Sequence, residues 1–104
     1  DIGEAVQTHA EAHGFGVVRE LVGHGVGHAV HEQPEVPNFG HKGCGLKLAE
    51  GMVLALEPMI TAGSPRVVLA KDDWTWKTKD GSRAAHFEHT VVVTKNGVRV
   101  LTGT

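Results

Sequence analysis

The chain has 104 residues, 40% hydrophobic and 21% charged, with a formal net charge of −2. That balance fits one small globular domain or a piece of a larger one, able to bury a core but without much margin. The ten Lys and Arg are spread along the chain rather than massed in one run, so no direct nucleic-acid binding is expected.

No apolar run approaches the roughly 20 residues that span a bilayer, so no membrane association is expected. A single cysteine, Cys44, rules out an internal disulfide and favours a reducing compartment. The N-terminus has neither a basic start nor an apolar signal core. Together these features lead to the expectation of a cytoplasmic protein. The chain begins without methionine and inside a helical pattern, as if entered partway through a longer polypeptide.

In "DIGEAVQTHAEAHG", Ile2, Ala5, Val6 and Ala10 recur at helical spacing, and Gly14 is placed to end the helix. "FGVVREL" (15–21) reads as extended. From Gly23 to Gly51 glycines are dense and Pro34 and Pro37 intervene, so this stretch reads as loop-rich. "MVLALEPMIT" (52–61) reads as a buried strand, "VVLA" (67–70) and "WTWKT" (74–78) as short ones. "AAHFEHTVVVT" (84–94) is the best strand, and "NG" at 96–97 turns it into "VRVLT" (98–102). The fold class expected is α+β, with a mainly antiparallel sheet and an N-terminal helix.

Three residues stand out chemically. His24 sits between Gly23 and Gly25, which permit unusual backbone angles or close approach of a bulky partner. The plainer reading is a loop histidine in water. Glu57 lies amid apolar residues in "LALEPM", where a buried carboxylate must be paired or bound to a cation. Pro58 holds it extended and removes a ladder donor. The plainer reading is a carboxylate pointing to water. Glu88, in "HFEHT", shares a strand face with Thr90 and Val92, while Phe87, His89, Val91 and Val93 share the other. A solvated face is the alternative there too.

One imidazole and two carboxylates suit Mn²⁺, Fe²⁺, Co²⁺ or Zn²⁺, although spacing alone does not identify a site. Nucleophilic chemistry fits poorly. Ser64 and Ser82 are not in a GxSxG elbow, and Cys44 in "HKGCGLK" has no recognisable catalytic context. The "GxG" in "GHGVG" lacks the strand–GxGxxG–helix setting of a dinucleotide site.

"GHGVGHAVHEQPEVPNFG", "GMVLALEPMITAG" and "DDWTWKTKDGSRAAHFEHTVVVTKNG" follow one another in order. Together they resemble the C-terminal half of type I methionine aminopeptidases, over essentially the whole chain. That resemblance implies half of a pita-bread (creatinase/aminopeptidase-like) fold. It implies hydrolytic removal of the N-terminal methionine from peptides and nascent proteins by a two-metal aminopeptidase. It also implies roles. His24 and Glu57 match metal ligands, Glu57 being credited with handling the proton of the attacking water as well. Glu88 matches the glutamate that bridges the two divalent ions. His31 matches a histidine that contacts the substrate's peptide group. Trp74 matches a wall of the methionine pocket. Val30 stands where that pocket often has Phe or Met.

The resemblance further implies two aspartate ligands and another substrate-binding histidine from an N-terminal half. Asp1, Asp72, Asp73 and Asp80 lack the aspartates' context. The expectation is therefore residues 1–104 as the C-terminal part of a catalytic domain, inactive alone and exposing an apolar surface meant for the missing N-terminal half. A truncated version of a longer chain is the simplest explanation, ahead of a split enzyme. His9, His13, His28, His41 and His86 receive no role, and His89 could support its neighbour Glu88. The alternatives are an Xaa-Pro-type peptidase of the same fold and a non-catalytic pita-bread binding module. "HExPxVPN" and "DxWTxKTxD" favour the methionine-specific branch, and retention of His24, Glu57 and Glu88 argues against the module.

Overall fold

The computed structural model describes residues 1–103. Helix α1 (Ile2–Ala12) ends where Gly14 takes a φ of +83°, a left-handed turn that suits glycine. The Phe15 amide then reaches back to the Ala10 carbonyl and the Gly14 amide to Glu11, which closes the helix as a Schellman cap. Ala10 is buried and Ile2 packs on the core, whereas Ala5 is exposed despite its apolar spacing.

Ten strands follow. They are β1 (Gly16–Val17), β2 (Gly23–Gly25), β3 (Glu32–Val36), β4 (Val53–Leu56) and β5 (Met59–Thr61). Then come β6 (Val67–Leu69), β7 (Trp76–Thr78), β8 (Ala84–His86), β9 (His89–Thr94) and β10 (Gly97–Val100). All pairings are antiparallel. One sheet runs β10-β9-β4-β2-β3, a second β1-β5-β8, and β6 pairs with β7 as a separate ribbon.

Four sequence expectations are corrected. Only Gly16–Val17 of the 15–21 stretch pairs as a strand. The glycine-dense region contains two strands, β2 and β3, because glycine there serves close packing rather than a loop. A Cβ on Gly23 would collide with the Ala55 carbonyl oxygen, and one on Gly25 with that of Gln33. Neither residue has a positive φ, so the glycines give room and not unusual angles. The two-residue hairpin loop is Lys95–Asn96, one step earlier than the NG signal, since Gly97 already pairs with Thr94.

The fourth correction shapes the site. The expected strands 52–61 and 84–94 are each split between two sheets. Pro58 has no N–H to continue the ladder. The two halves nevertheless keep one register, because Leu56 pairs with His89 and Met59 with His86. Across the break, the Phe87 amide donates to the Pro58 carbonyl at 3.2 Å. In this register Glu57 and Glu88 stand opposite each other.

The core lies on one side of the larger sheet. Val36, Leu54 and Val91 form its buried cluster, with Ile2, Leu56 and Val93 packed around it. Leu54 and Val91 are a cross-strand pair, so alternation sends Ala55 and Thr90 to the other side. That core is small, and Trp74, Val30, Phe87 and Leu46 remain 86%, 74%, 66% and 65% exposed. No helix among the described residues is long and apolar enough to cross a membrane.

Candidate metal centre

The face opposite the core carries the chemistry. His24 on β2 pairs with Ala55 on β4, and Ala55 pairs with Thr90 on β9. Two residues along each strand bring Glu57 and Glu88 onto the same face, one row further. Side-chain ligand atoms of His24, Glu57 and Glu88 all come within 4.8 Å of one another. The sheet register, rather than a short local motif, collects them.

Glu57 is held at several points. Its carbonyl accepts from the Nδ2 of Asn38, a residue only 1% exposed, at 3.2 Å. Its Oε2 lies 2.8 Å from His24 Nε2, and its Oε1 lies 3.5 Å from His86 Nε2. The His24 and Glu57 side chains are 14% and 13% exposed. Among the described residues, no Lys or Arg pairs with Glu57 or Glu88.

The tautomer of His24 sharpens the picture. Its Nδ1 lies 2.8 Å from the Gly25 carbonyl oxygen, which can only accept, so Nδ1 carries a proton. A neutral His24 therefore aims the lone pair of Nε2 at a carboxylate oxygen 2.8 Å away. Two acceptors at that distance need a proton or a metal cation to reconcile them. With a second carboxylate opposite Glu57, the donor set fits a divalent cation of the Mn, Fe, Co or Zn kind.

His31 is exposed, and its ring lies against that of His24 with centroids 4.0 Å apart. Val30 and Trp74 are open to solvent, so neither side chain is enclosed by the described residues. A cavity of about 650 Å³ lies between α1 and the 34–48 segment and includes none of the three ligand candidates. His89 does not support Glu88. It falls on the core side, and its Nδ1 lies 2.9 Å from the Thr102 hydroxyl.

His86 is the site residue that went unassigned in the sequence. Strand parity would have found it, since it lies two residues before Glu88 and on the same face.

Residues 1–95 match the model of metallopeptidase family M24. The chain belongs to metallopeptidase family M24. Membership in this family implies divalent metal ions, in keeping with the His24, Glu57 and Glu88 donor set. A methionine aminopeptidase from Clostridium perfringens is 55% identical over 98% of this chain, which spans 41% of that protein. Methionine aminopeptidase 1 from Bacillus subtilis is 50% identical, again over 98% of this chain and 41% of the relative.

The crystal structure of methionine aminopeptidase from Thermotoga maritima superposes with a TM-score of 0.96 at 50% identity. It is matched by 100% of this chain, which covers 42% of it. The Rickettsia prowazekii enzyme gives the same TM-score at 48% identity, with 99% and 42% coverage. The α+β pita-bread expectation is thus borne out. The chain spans about two fifths of the length of these M24 relatives.

Proposed function

We propose that residues 1–104 form the C-terminal part of the catalytic domain of a methionyl aminopeptidase. Its substrates are the N-terminal methionines of peptides and nascent proteins, which places the work in the cytoplasm. The observation that carries this reading is the meeting of His24, Glu57 and Glu88 on one sheet face. In this reading those residues hold two divalent ions together with two aspartates supplied from outside this chain. Such ions supply Lewis-acid polarisation of a carbonyl and a water of lowered pKa.

The chain's own residues then divide the remaining work. Glu57 accepts the proton of the attacking water and delivers it to the departing amine nitrogen as the C–N bond breaks. Asn38, bonded to the Glu57 carbonyl, keeps that carboxylate's backbone fixed. His31, beside His24, donates to the peptide group whose carbonyl oxygen gains charge. Trp74 and Val30 form part of the methionine pocket, whose enclosure needs residues from outside the chain, because both are open here.

The test uses the chain alone and the chain completed with the N-terminal segment of the Clostridium perfringens relative. Each is assayed for methionine release from a Met-Ala peptide with Mn²⁺ or Co²⁺. The completed protein is expected to turn over and the isolated chain is not. Glu88→Gln should lower turnover by more than the roughly 10–100-fold typical of losing a residue that only supports a ligand. Turnover by the isolated chain would overturn the shared-site reading. Cleavage of an Xaa-Pro peptide in place of Met-Ala would favour the other branch of the fold.

A further inference from the structure

The carboxylate of Glu57 has two oxygens, and each meets a different histidine. Oε2 approaches His24 Nε2 at 2.8 Å, and the other oxygen, Oε1, meets His86 Nε2 at 3.5 Å. That meeting is built into the sheet. His86 pairs with Met59 in the β5–β8 ladder, which puts it one row beyond Glu57 on the same face. The β8 strand is anchored on both sides of this pair, by the Phe87 amide on the Pro58 carbonyl and by the Ala62 amide on the Arg83 carbonyl.

The separation is slightly longer than a formed hydrogen bond. The His86 side chain is 46% exposed, so its ring has room to close the gap. A carboxylate without such a partner can rotate and present either oxygen, or both, to a cation. One held through Oε1 has its plane fixed and offers Oε2 alone.

Resting on the reading of His24, Glu57 and Glu88 as metal ligands, we infer that His86 is a positioning residue for Glu57. Its Nε2–H donates to Oε1 and orients Oε2 toward the ion. Partners of this kind, which touch a ligand rather than the metal, change affinity by about 10–100-fold when removed. His86 therefore acts through Glu57 and not on the substrate.

The test measures Mn²⁺ dissociation constants by calorimetry and electron paramagnetic resonance in the complete polypeptide that carries this chain. His86→Ala should weaken Mn²⁺ binding by about 10-fold or more. His86→Gln, which keeps an N–H donor, should recover most of that loss. The Co²⁺ absorption spectrum should shift in His86→Ala and return toward the parent in His86→Gln. Glu88→Gln serves as the reference for the metal site itself. If Glu88→Gln leaves Mn²⁺ affinity unchanged, the metal-site reading fails. If Glu88→Gln weakens binding and His86→Ala does not, only the role of His86 is overturned. Equal weakening by His86→Ala and His86→Gln would also overturn it, because the donor would not be what matters.

Discussion

The β4–β9 ladder and the β6–β7 ribbon are both antiparallel pairs, yet they hold their functional candidates very differently. The ladder lies inside a five-stranded sheet, with Leu54 and Val91 buried beneath it. Its register sets Glu57 against Glu88 and brings His24 alongside. The ribbon belongs to neither larger sheet and leaves Trp74 86% exposed at its turn. Its tip is organised by one carboxylate. Asp72 accepts from the amides of Trp74 and Thr75 at 3.0 and 2.8 Å and from the Thr75 hydroxyl at 2.6 Å. Candidates set by a sheet register come together within this chain, whereas Trp74, carried on a turn, stands open to solvent.

The ladder side of this contrast breaks most severely through its glycines. Gly23→Ala drives a methyl group into the Ala55 carbonyl and pushes β2 off β4. Overpacking of this kind costs about 1–3 kcal/mol or more. Chemical denaturation should show that loss, and metal affinity should fall with it because His24 rides on β2. A variant that keeps full stability and full metal affinity would mean that the strand contact is not what places His24.

Acid should act on the ribbon. The hydrogen bonds from the Thr75 hydroxyl, then from the Thr75 and Trp74 amides, lower the Asp72 pKa from 3.8 to about 2. A carboxyl depressed in the folded state stabilises above its ordinary value and loses that contribution as pH falls through the folded one. The turn should therefore stay intact above pH 3.8 and loosen as pH falls toward about 2. The chain's two tryptophans, Trp74 and Trp76, both lie in this hairpin, so fluorescence reads it directly. Asp72→Asn should remove that acid step. A step that persists in the variant would assign it to another group.

The smallest effect is expected from Trp74→Ala. With so little of the ring covered, stability should change by no more than about 0.5 kcal/mol. In the completed enzyme the same change should raise the KM for methionine peptides. A large stability loss would show that the ribbon tip is packed more tightly than its exposure indicates.

Much of the site was legible in the sequence, each part for its own reason. Glu57 stood out as a charge among apolar residues, and Glu88 through the alternation that sets it with Thr90 and Val92. The Asn38–Glu57 contact could not be read, since nothing local joins "VPN" to "LEPM". Strand parity sets His86 on the face of Glu88, but nothing local shows that it reaches Glu57. The strands β2 and β3 hid behind a glycine count that normally indicates loops, and only the approach of Ala55 and Gln33 explains it.

By itself the sequence determined the helix and its glycine stop, the presence of strands within 52–61 and 84–94, and the residue types suited to a divalent cation. These depend on backbone freedom, side-chain period and charge, all of which are local. Only the tertiary structure decided that the ladders on either side of the break share one register. That register puts Glu57 opposite Glu88, His24 beside them and His86 behind Glu57. The physical reason is that strand pairing joins residues far apart in the chain, and no local pattern encodes which residues will face each other.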